Sequence, residues 1–507
     1  MTDPTQQASG SIVRTKDVET VLHQNDSVES EHSGLSKNLT AKDLMGFGIG
    51  IVIGTGIFTL TGVGAKNFAG PGIVLSFLIA GVVSLLAALC YAELAAAVPT
   101  AGSSYTYAYT TIGEIFAWII AWDLVLEFAL GAAVVARGWS GYLQEAFSLP
   151  TSLFGEEAPV NVGALGIALV LGAVAAAGIK ESKLVTNLLV LIKVSVCIFV
   201  IVVGIFFVKA SNMTPFIPPS QPMPESARTT GLEQPFWQWV TGATPTAFGM
   251  AGVFVAAAIV FFAYSGFEAV ANLGEETKDP AKDMPRGLIG TLLICTALYV
   301  GVCLVLTGMV KYSDLSEGAP ISDAFNQVGM GWASILIGIA AVAGLSSVIL
   351  VDIIAMGRIG FALCRDGLLP KWIGEVSPRF KTPLRITVAT TVVVAVLAAF
   401  VPLHTLAEMV SIGTLFAFLV VSIAVAVLRR TKPRLKRPFR TPAVPLLPII
   451  SGLSCLALMA SLAVGTWLRF LVWLGLGLIV YFAYGKKHSK LAPGNLVATG
   501  YGRRQDS

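Results

Sequence analysis

Three charged side chains, Lys193, Glu127 and Asp123, sit inside long apolar runs of this 507-residue chain, and a fourth, Glu268, follows an interruption in another. Lys193 lies about nine residues into its run, or ~14 Å of helix at 1.5 Å per residue, near the middle of a ~30 Å hydrocarbon layer. That is deep for an ammonium group to reach either surface, so Lys193 is a functional candidate, an amine able to load and release a proton. Glu127, in WDLVLEF, is at comparable depth and is the natural counter-charge; Asp123, four residues earlier, shares its helical face. Glu268 stands where a helix restarts, and a helix N-terminus favours negative charge. It reads first as a cap, then as a gate or a contact for a basic substrate side chain.

Backbone groups supply the rest of the chemistry. Gly46 to Phe58, GFGIGIVIGTGIF, holds five glycines and Thr55 in thirteen residues, and a glycine costs roughly 1 kcal/mol against alanine inside a helix. Unpaired N–H and C=O groups at membrane depth persist only where they face protein, water or a ligand. A half-helix starting after Gly56 aims free N–H groups at an anion such as a carboxylate. A second run, AIVFFAYSGFEAVANLGEE, is interrupted at Tyr264-Ser265-Gly266, and the carbonyls of Phe262, Ala263 and Ser265 before that break suit an ammonium group. An α-amino acid carries both charges. The expected site therefore sets its carboxylate on Ile53, Thr55 and Gly56 and its amine on the carbonyls of the two breaks.

These groups need apolar helices to carry them, and the composition provides little else. The chain is 55% hydrophobic and 13% charged, with a mean hydropathy of +0.77; its charged fraction is about half that of a soluble domain. Continuous runs exclude a β-barrel, which needs short alternating segments. Apolar runs at about 44–65, 72–97, 113–142, 162–179, 184–208, 250–275, 286–310, 331–364, 384–402, 404–428, 443–465 and 467–485 predict twelve transmembrane helices. Basic residues concentrate in alternate loops, with Lys180 and Lys183, Lys278, Lys282 and Arg286, the Arg365–Arg385 group and the Arg429–Arg440 group on one side. By the positive-inside rule that side, with both termini, is cytoplasmic. Residues 1–43 read as a disordered tail without a signal peptide, and 486–507 as a second tail. The proline-rich connection at about 209–249 is expected over the outer mouth.

The two breaks lie five spans apart, so their helices cross the membrane in opposite directions. That is the pattern of a secondary transporter built from inverted repeats with its substrate near the midplane. Spans 1–5 (44–208) and 6–10 (250–429) form the repeats of the 44–429 core, with spans 11 and 12 (430–485) outside. Four sequences then become specific together: IVIGTGIF in span 1, YAELAAAVPTAGSSYTYAY after span 2, FFAYSGFEAVANLGEETKDPAKDMPRG through span 6 and CRDGLLP after span 8. Over residues 40 to 430 the chain resembles the amino acid–polyamine–organocation superfamily, its cationic amino acid transporter branch in particular. The resemblance implies an all-α membrane protein of LeuT type, a 5+5 inverted repeat with discontinuous helices 1 and 6. It also implies proton coupling through Lys193, a glutamate near the substrate path at Glu127, and an aromatic gate at Phe267. Leu345, with Ser346 and Ser347, is expected along the side-chain pocket.

Glu93, Glu275 and Glu276 are expected to pair with the basic loops and hold the inner gate closed, and Arg137 to meet lipid headgroups near the outer end of span 3. The six cysteines lack any CxxC pair and the four histidines are scattered, which predicts no metal site and no cofactor. No phosphate loop or nucleophile–histidine pair suggests an enzyme or a nucleotide-driven pump, and nothing suggests nucleic acid. The expected function is import of amino acids across the plasma membrane by proton symport, with protons and the lipid bilayer as partners and spans 11 and 12 open to a small membrane protein. The competing readings are an exchanger of amino acids or polyamines without net proton movement, and a non-transporting sensor.

Overall fold

The computed structural model describes Arg14 and residues 38–97, 103–156, 158–178, 183–223 and 231–492, apart from the side chains of Ser103, Lys183, Leu184, Asn272 and Glu275. Most of the expected N-terminal tail, the end of the C-terminal tail and Lys180 lie outside those residues. The first helix, α1 (Ala41–Val52), starts where the backbone N–H and hydroxyl of Thr40 both donate to Asp43. It stops at Ile53, whose ψ of 96° is extended. Helical structure resumes at Gly56 as π turns, Gly56–Leu60 and Ala65–Ala69, around the α turn Thr61–Gly64. Gly70, at φ +58°, interrupts it again before α2 (Ile73–Ala97).

The remaining α-helices of eight residues or more follow in order: α3 (Ser103–Thr111), α4 (Glu114–Phe147), α5 (Val162–Ala176), α6 (Lys183–Gly204), α7 (Gly249–Val260), α8 (Pro280–Met309), α9 (Pro320–Gln327), α10 (Gly331–Arg365), α11 (Leu384–Phe400), α12 (Leu403–Thr431), α13 (Leu446–Ser461) and α14 (Val464–Val480). Among the described residues, eight helical stretches are long and apolar enough to cross a membrane. Three of the expected runs give only the shorter helices α5, α11 and α13, of 15, 17 and 16 residues. The connection at 209–249 is not wholly irregular: Gln221–Pro222 pairs antiparallel with Thr246–Ala247, the one sheet among the described residues.

Burial separates an inner from an outer set. Helices α4, α7 and α12 are largely enclosed, whereas α5, α6, α11, α13 and α14 turn Val170, Leu191, Phe400, Leu453 and Ile479 outward, each about 60% exposed. Helices apolar on both faces suit a lipid surround; in water such a belt would drive association. The longest helices, α4 and α10, pack along each other, α8 lies against α1 and α2, and α5 against α11. Arg14 donates to the Lys486 carbonyl, so Arg14 and the segment 486–492 share one face. Residues 486–492 do not trail away from it: the Ser489 hydroxyl donates to the buried Glu114 carboxylate (2.6 Å), as do Tyr109 and Tyr481.

Arg137 corrects an expectation. It is buried, pairs with Glu156 at 2.8 Å and donates to the Ala398 and Ala399 carbonyls, because the loop after α4 folds back and brings Glu156 to it. Glu156 also accepts from the Leu403 N–H at the start of α12. Removing one partner of a buried ion pair costs about 3–5 kcal/mol. Arg137→Met is therefore expected to lower the melting temperature of the purified protein markedly, and Glu156→Gln less so, since an amide still accepts from both neighbours.

On the face with Arg14 and residues 486–492, Glu93 accepts from Arg429 through both oxygens (3.0 and 2.7 Å), faces Arg437 at 3.4 Å and accepts from the Thr441 N–H. One carboxylate thus ties α2 to α12 and to the basic segment beyond it. The Glu276 carbonyl accepts from the Leu39 N–H (3.1 Å). The side chain of Glu275 lies outside the described residues.

Candidate functional site

The two helix breaks face each other. A Cβ at Gly56 would land on the backbone of Ala263, and a Cβ at Gly266, which has φ +97°, would land on Ile51. Only glycine allows this approach, so the glycines of one break are matched to the chain of the other. Tyr299 of α8 fastens the pair: its hydroxyl lies 2.7 Å from the Val52 carbonyl and 3.0 Å from that of Ala263. Tyr264 anchors the second break to α2 through the Phe77 carbonyl.

Beside this junction lies a small, partly open cavity of about 30 Å³. Ile51, Val52, Gly54, Thr55 and Gly56 form its wall from the first break, and Phe262, Ser265 and Gly266 from the second. Glu127, Phe128, Gly131 and Val135 come from α4, Val348 and Asp352 from α10. The Thr55 hydroxyl is fully buried without a hydrogen-bond partner among the described residues and lies close to Gly138 of α4. Glu127 accepts from the Ser265 hydroxyl at 2.8 Å, so α4 grips the second break at the cavity edge.

Of the residues expected to bind substrate, Thr55, Gly56, Phe262 and Ser265 line this cavity, while Ile53 and Ala263 do not. The side chain of Ile53 is fully buried. The Ala263 carbonyl already faces Tyr299, and that of Phe262 accepts from the Ser265 N–H. Leu345 is buried in the core and does not line the space; the α10 wall is Val348 and Asp352, one and two turns further on. Ser346 instead accepts from Trp139, and Ser347 donates back to Gly344. A larger side chain at 348 would fill the space. Val348→Phe is expected to weaken substrate binding about tenfold or more, read as a loss of ligand-induced thermal shift, with the unliganded melting temperature little changed.

Lys193 is 2% exposed, its amine donating to the Gly50 carbonyl at 2.8 Å and its stem lying on Gly344. It thereby joins α6 to α1 one turn before the first break. Asp352 stands within the fields of both Glu127 and Lys193, an acid that the sequence did not single out. Gly131 makes room for it: a Cβ there would lie 3.3 Å from Asp352 Oδ2. Glu268 caps its own segment, both oxygens accepting from Gly266 N–H at 3.1 Å, and also meets Glu127. Asp123 is buried against Gly413 of α12 with neither oxygen partnered among the described residues. Phe267 is buried, with ring centroids 5.8 Å from Tyr91 and 5.1 Å from Phe418.

Apposed helix breaks, a small and partly open cavity beside them and an apolar outer belt point to a multi-pass membrane carrier. Residues 39–482 match the family model described as amino acid permease. The chain belongs to that family, within the amino acid–polyamine–organocation superfamily. It is 43% identical to the methylthioribose transporter of Bacillus subtilis (strain 168) over 491 residues, 95% of this chain and 99% of the other. It is 41% identical to the branched-chain amino acid permease BcaP of the same organism over 495 residues, again 95% and 99%. With the vacuolar cationic amino acid transporter 4 of Arabidopsis thaliana it shares 37% identity over 433 residues, 83% of this chain and 68% of that one.

Proposed function

We propose that this chain imports amino acids across the plasma membrane by proton symport, through twelve spans in a LeuT-type 5+5 inverted repeat, with both termini cytoplasmic. The observation that carries the reading is the cavity at the junction of two broken helices, with the buried Lys193 amine bound to Gly50 beside it. The substrate carboxylate would lie on the free N–H groups after the first break, helped by the Thr55 hydroxyl, and its ammonium near carbonyls of both breaks. Loss of the Lys193 proton weakens a charge-assisted bond between α6 and α1, which links proton binding to the helix that carries half of the site.

Helix packing supports the repeat. Counting spans in order, the pairing of span 1 with 7 (α1 with α8) has its counterpart five spans on in span 6 with 2 (α7 with α2). Likewise span 3 with 10 (α4 with α12) answers span 8 with 5 (α10 with α6), and span 5 with 1 (α6 with α1) answers span 10 with 6 (α12 with α7). The basic loops on the face of Arg14 and residues 486–492 support the cytoplasmic assignment.

The test is purified protein in proteoliposomes that contain no amino acid. An inward proton gradient is expected to drive accumulation of radiolabelled substrate, and substrate addition to acidify the lumen. Uptake only into vesicles preloaded with amino acid would replace symport by exchange. A thermal-shift screen names the substrate and includes branched-chain and cationic amino acids and methylthioribose, the chemistries in the names of the similar proteins. Val348, Val135 and Phe128 favour a medium apolar side chain. Asp352 favours one bearing a hydrogen-bond donor.

A further inference from the structure

We propose that residues 486–492 form a latch on the face where they lie, holding α3 against the segment that restarts after the second helix break. The proposal rests on the reading of the chain as a carrier that opens at that break, not on symport. The strap is bound along its length. The Ser489 hydroxyl donates to Glu114 at 2.6 Å, the Leu491 N–H to the Ser489 oxygen at 3.1 Å, and the Lys490 N–H to the Asp366 carbonyl at 3.1 Å. Ser489 is fully buried, and Leu491 and Ala492 are buried with it. Leu491 packs into a cluster with Tyr105 and Tyr109 of α3 and with Leu363 and Leu368 at the end of α10. The turn after α10 is shaped for this neighbour: Gly367 has φ +80°, and a Cβ there would land on the His488 carbonyl oxygen. Only glycine leaves room for the strap to run so close.

The partners of the strap come from two sequences that have no place in the binding cavity. Asp366, Gly367 and Leu368 belong to CRDGLLP, and Tyr105 and Tyr109 to the end of YAELAAAVPTAGSSYTYAY. The strap joins them at two carboxylates. Tyr105 donates to the Asp366 side chain at 2.6 Å while the Asp366 carbonyl holds Lys490. Tyr109 donates at 3.0 Å to the same Glu114 oxygen as Ser489, and Tyr481, just past α14, to the other at 2.9 Å. The strap leaves a helix that is itself fixed to α4: Trp118 donates to the Gly477 carbonyl, and Trp122 and Trp473 each donate to the other's carbonyl. At the far side, α3 packs against Phe267–Glu276, the segment that begins at the second break. An opening that swings this segment away must slide it past α3 or carry α3 along. With the strap seated, α3 is held at Tyr105 and Tyr109. With the strap released, Glu114 loses its Ser489 donor, Asp366 its Lys490 donor, and both tyrosines the Leu491 side chain, so α3 yields more easily. None of residues 486–492 lines the cavity. The latch therefore sets how readily this face opens and leaves the substrate contacts alone.

The experiment uses full-length protein in lipid nanodiscs, with Ala271→Cys as the reporter of opening. Ala271 is fully buried within Phe267–Glu276, so a charged maleimide reaches the new thiol only when the segment moves. The six native cysteines are buried too, and protein without the reporter gives their background. Ser489→Asp sets a second carboxylate against Glu114, and like charges repel. It is expected to free the strap, read as faster amide hydrogen exchange over 486–492, and to raise reporter labelling about three- to tenfold, the range of one lost hydrogen bond. Ser489→Ala removes the donor alone and should raise labelling by a smaller factor. Lys487→Ala, at an exposed position beside the strap, should leave the rate unchanged. A freed strap with labelling at the wild-type rate overturns the latch. So does a strap that stays protected in Ser489→Asp, and so does a matching rise at the native cysteines, which marks general loosening. If Ser489→Asp fails to fold, Ser489→Ala decides, and an unchanged rate there overturns the proposal. Neither substrate nor a proton gradient enters the measurement, so a failed latch leaves the uptake test, and the reading it decides, standing.

Discussion

Gly56→Leu is expected to abolish uptake, and Gly56→Ala to reduce it about tenfold or more, because even one methyl group has nowhere to go. The methyl would meet the main chain of Ala263 rather than the end of a flexible side chain, so relief requires one break to move away from the other. Overpacking of a fixed interior costs about 1–3 kcal/mol, and each 1.4 kcal/mol is about tenfold in an equilibrium. The displacement would also shift Thr55 and Phe262 on opposite walls of the cavity. Radiolabelled uptake checks the prediction against a neighbouring control, Gly46→Ala, where an added Cβ meets nothing within 4 Å. Undiminished uptake by Gly56→Leu would falsify the assignment of the substrate to this junction.

Lys193→Met is expected to remove proton-driven accumulation. Methionine keeps the apolar stem that lies on Gly344 but leaves the Gly50 carbonyl without its donor. A hydrogen bond to a charged group contributes about 1.5–3 kcal/mol, so accumulation should fall by about ten- to a hundredfold. Exchange between preloaded vesicles should survive, since neither amino acid backbone nor side chain requires the amine. If gradient-driven accumulation persists in Lys193→Met at the wild-type rate, Lys193 is a structural tie and the proton travels elsewhere.

Much of this arrangement is legible in the residues themselves. Glycine spacing reveals the breaks because so many poor helix formers in one apolar run need a reason, and a lysine at mid-depth reveals itself because hydrocarbon does not tolerate it idly. What escapes notice depends on rotation and distance. Leu345 and Val348 are three residues apart on α10, and nothing in an apolar stretch fixes which of them turns inward; packing against α4 decides it. Asp352 looks like a residue nearing the membrane surface until Gly131 lets its carboxyl lie against α4. Tyr299 is unreadable, since a lone tyrosine among leucines and valines is ordinarily core. Arg137 was expected at the headgroups because its partner, Glu156, lies in a loop whose return path has no sequence signal.

Tyr299 carries one hydroxyl hydrogen, yet two carbonyls wait for it, Val52 on one broken helix and Ala263 on the other. A single donor cannot serve both acceptors at full strength. The shared hydrogen can therefore pass back and forth between the two broken helices, so the tie that fastens them is never wholly committed to either half.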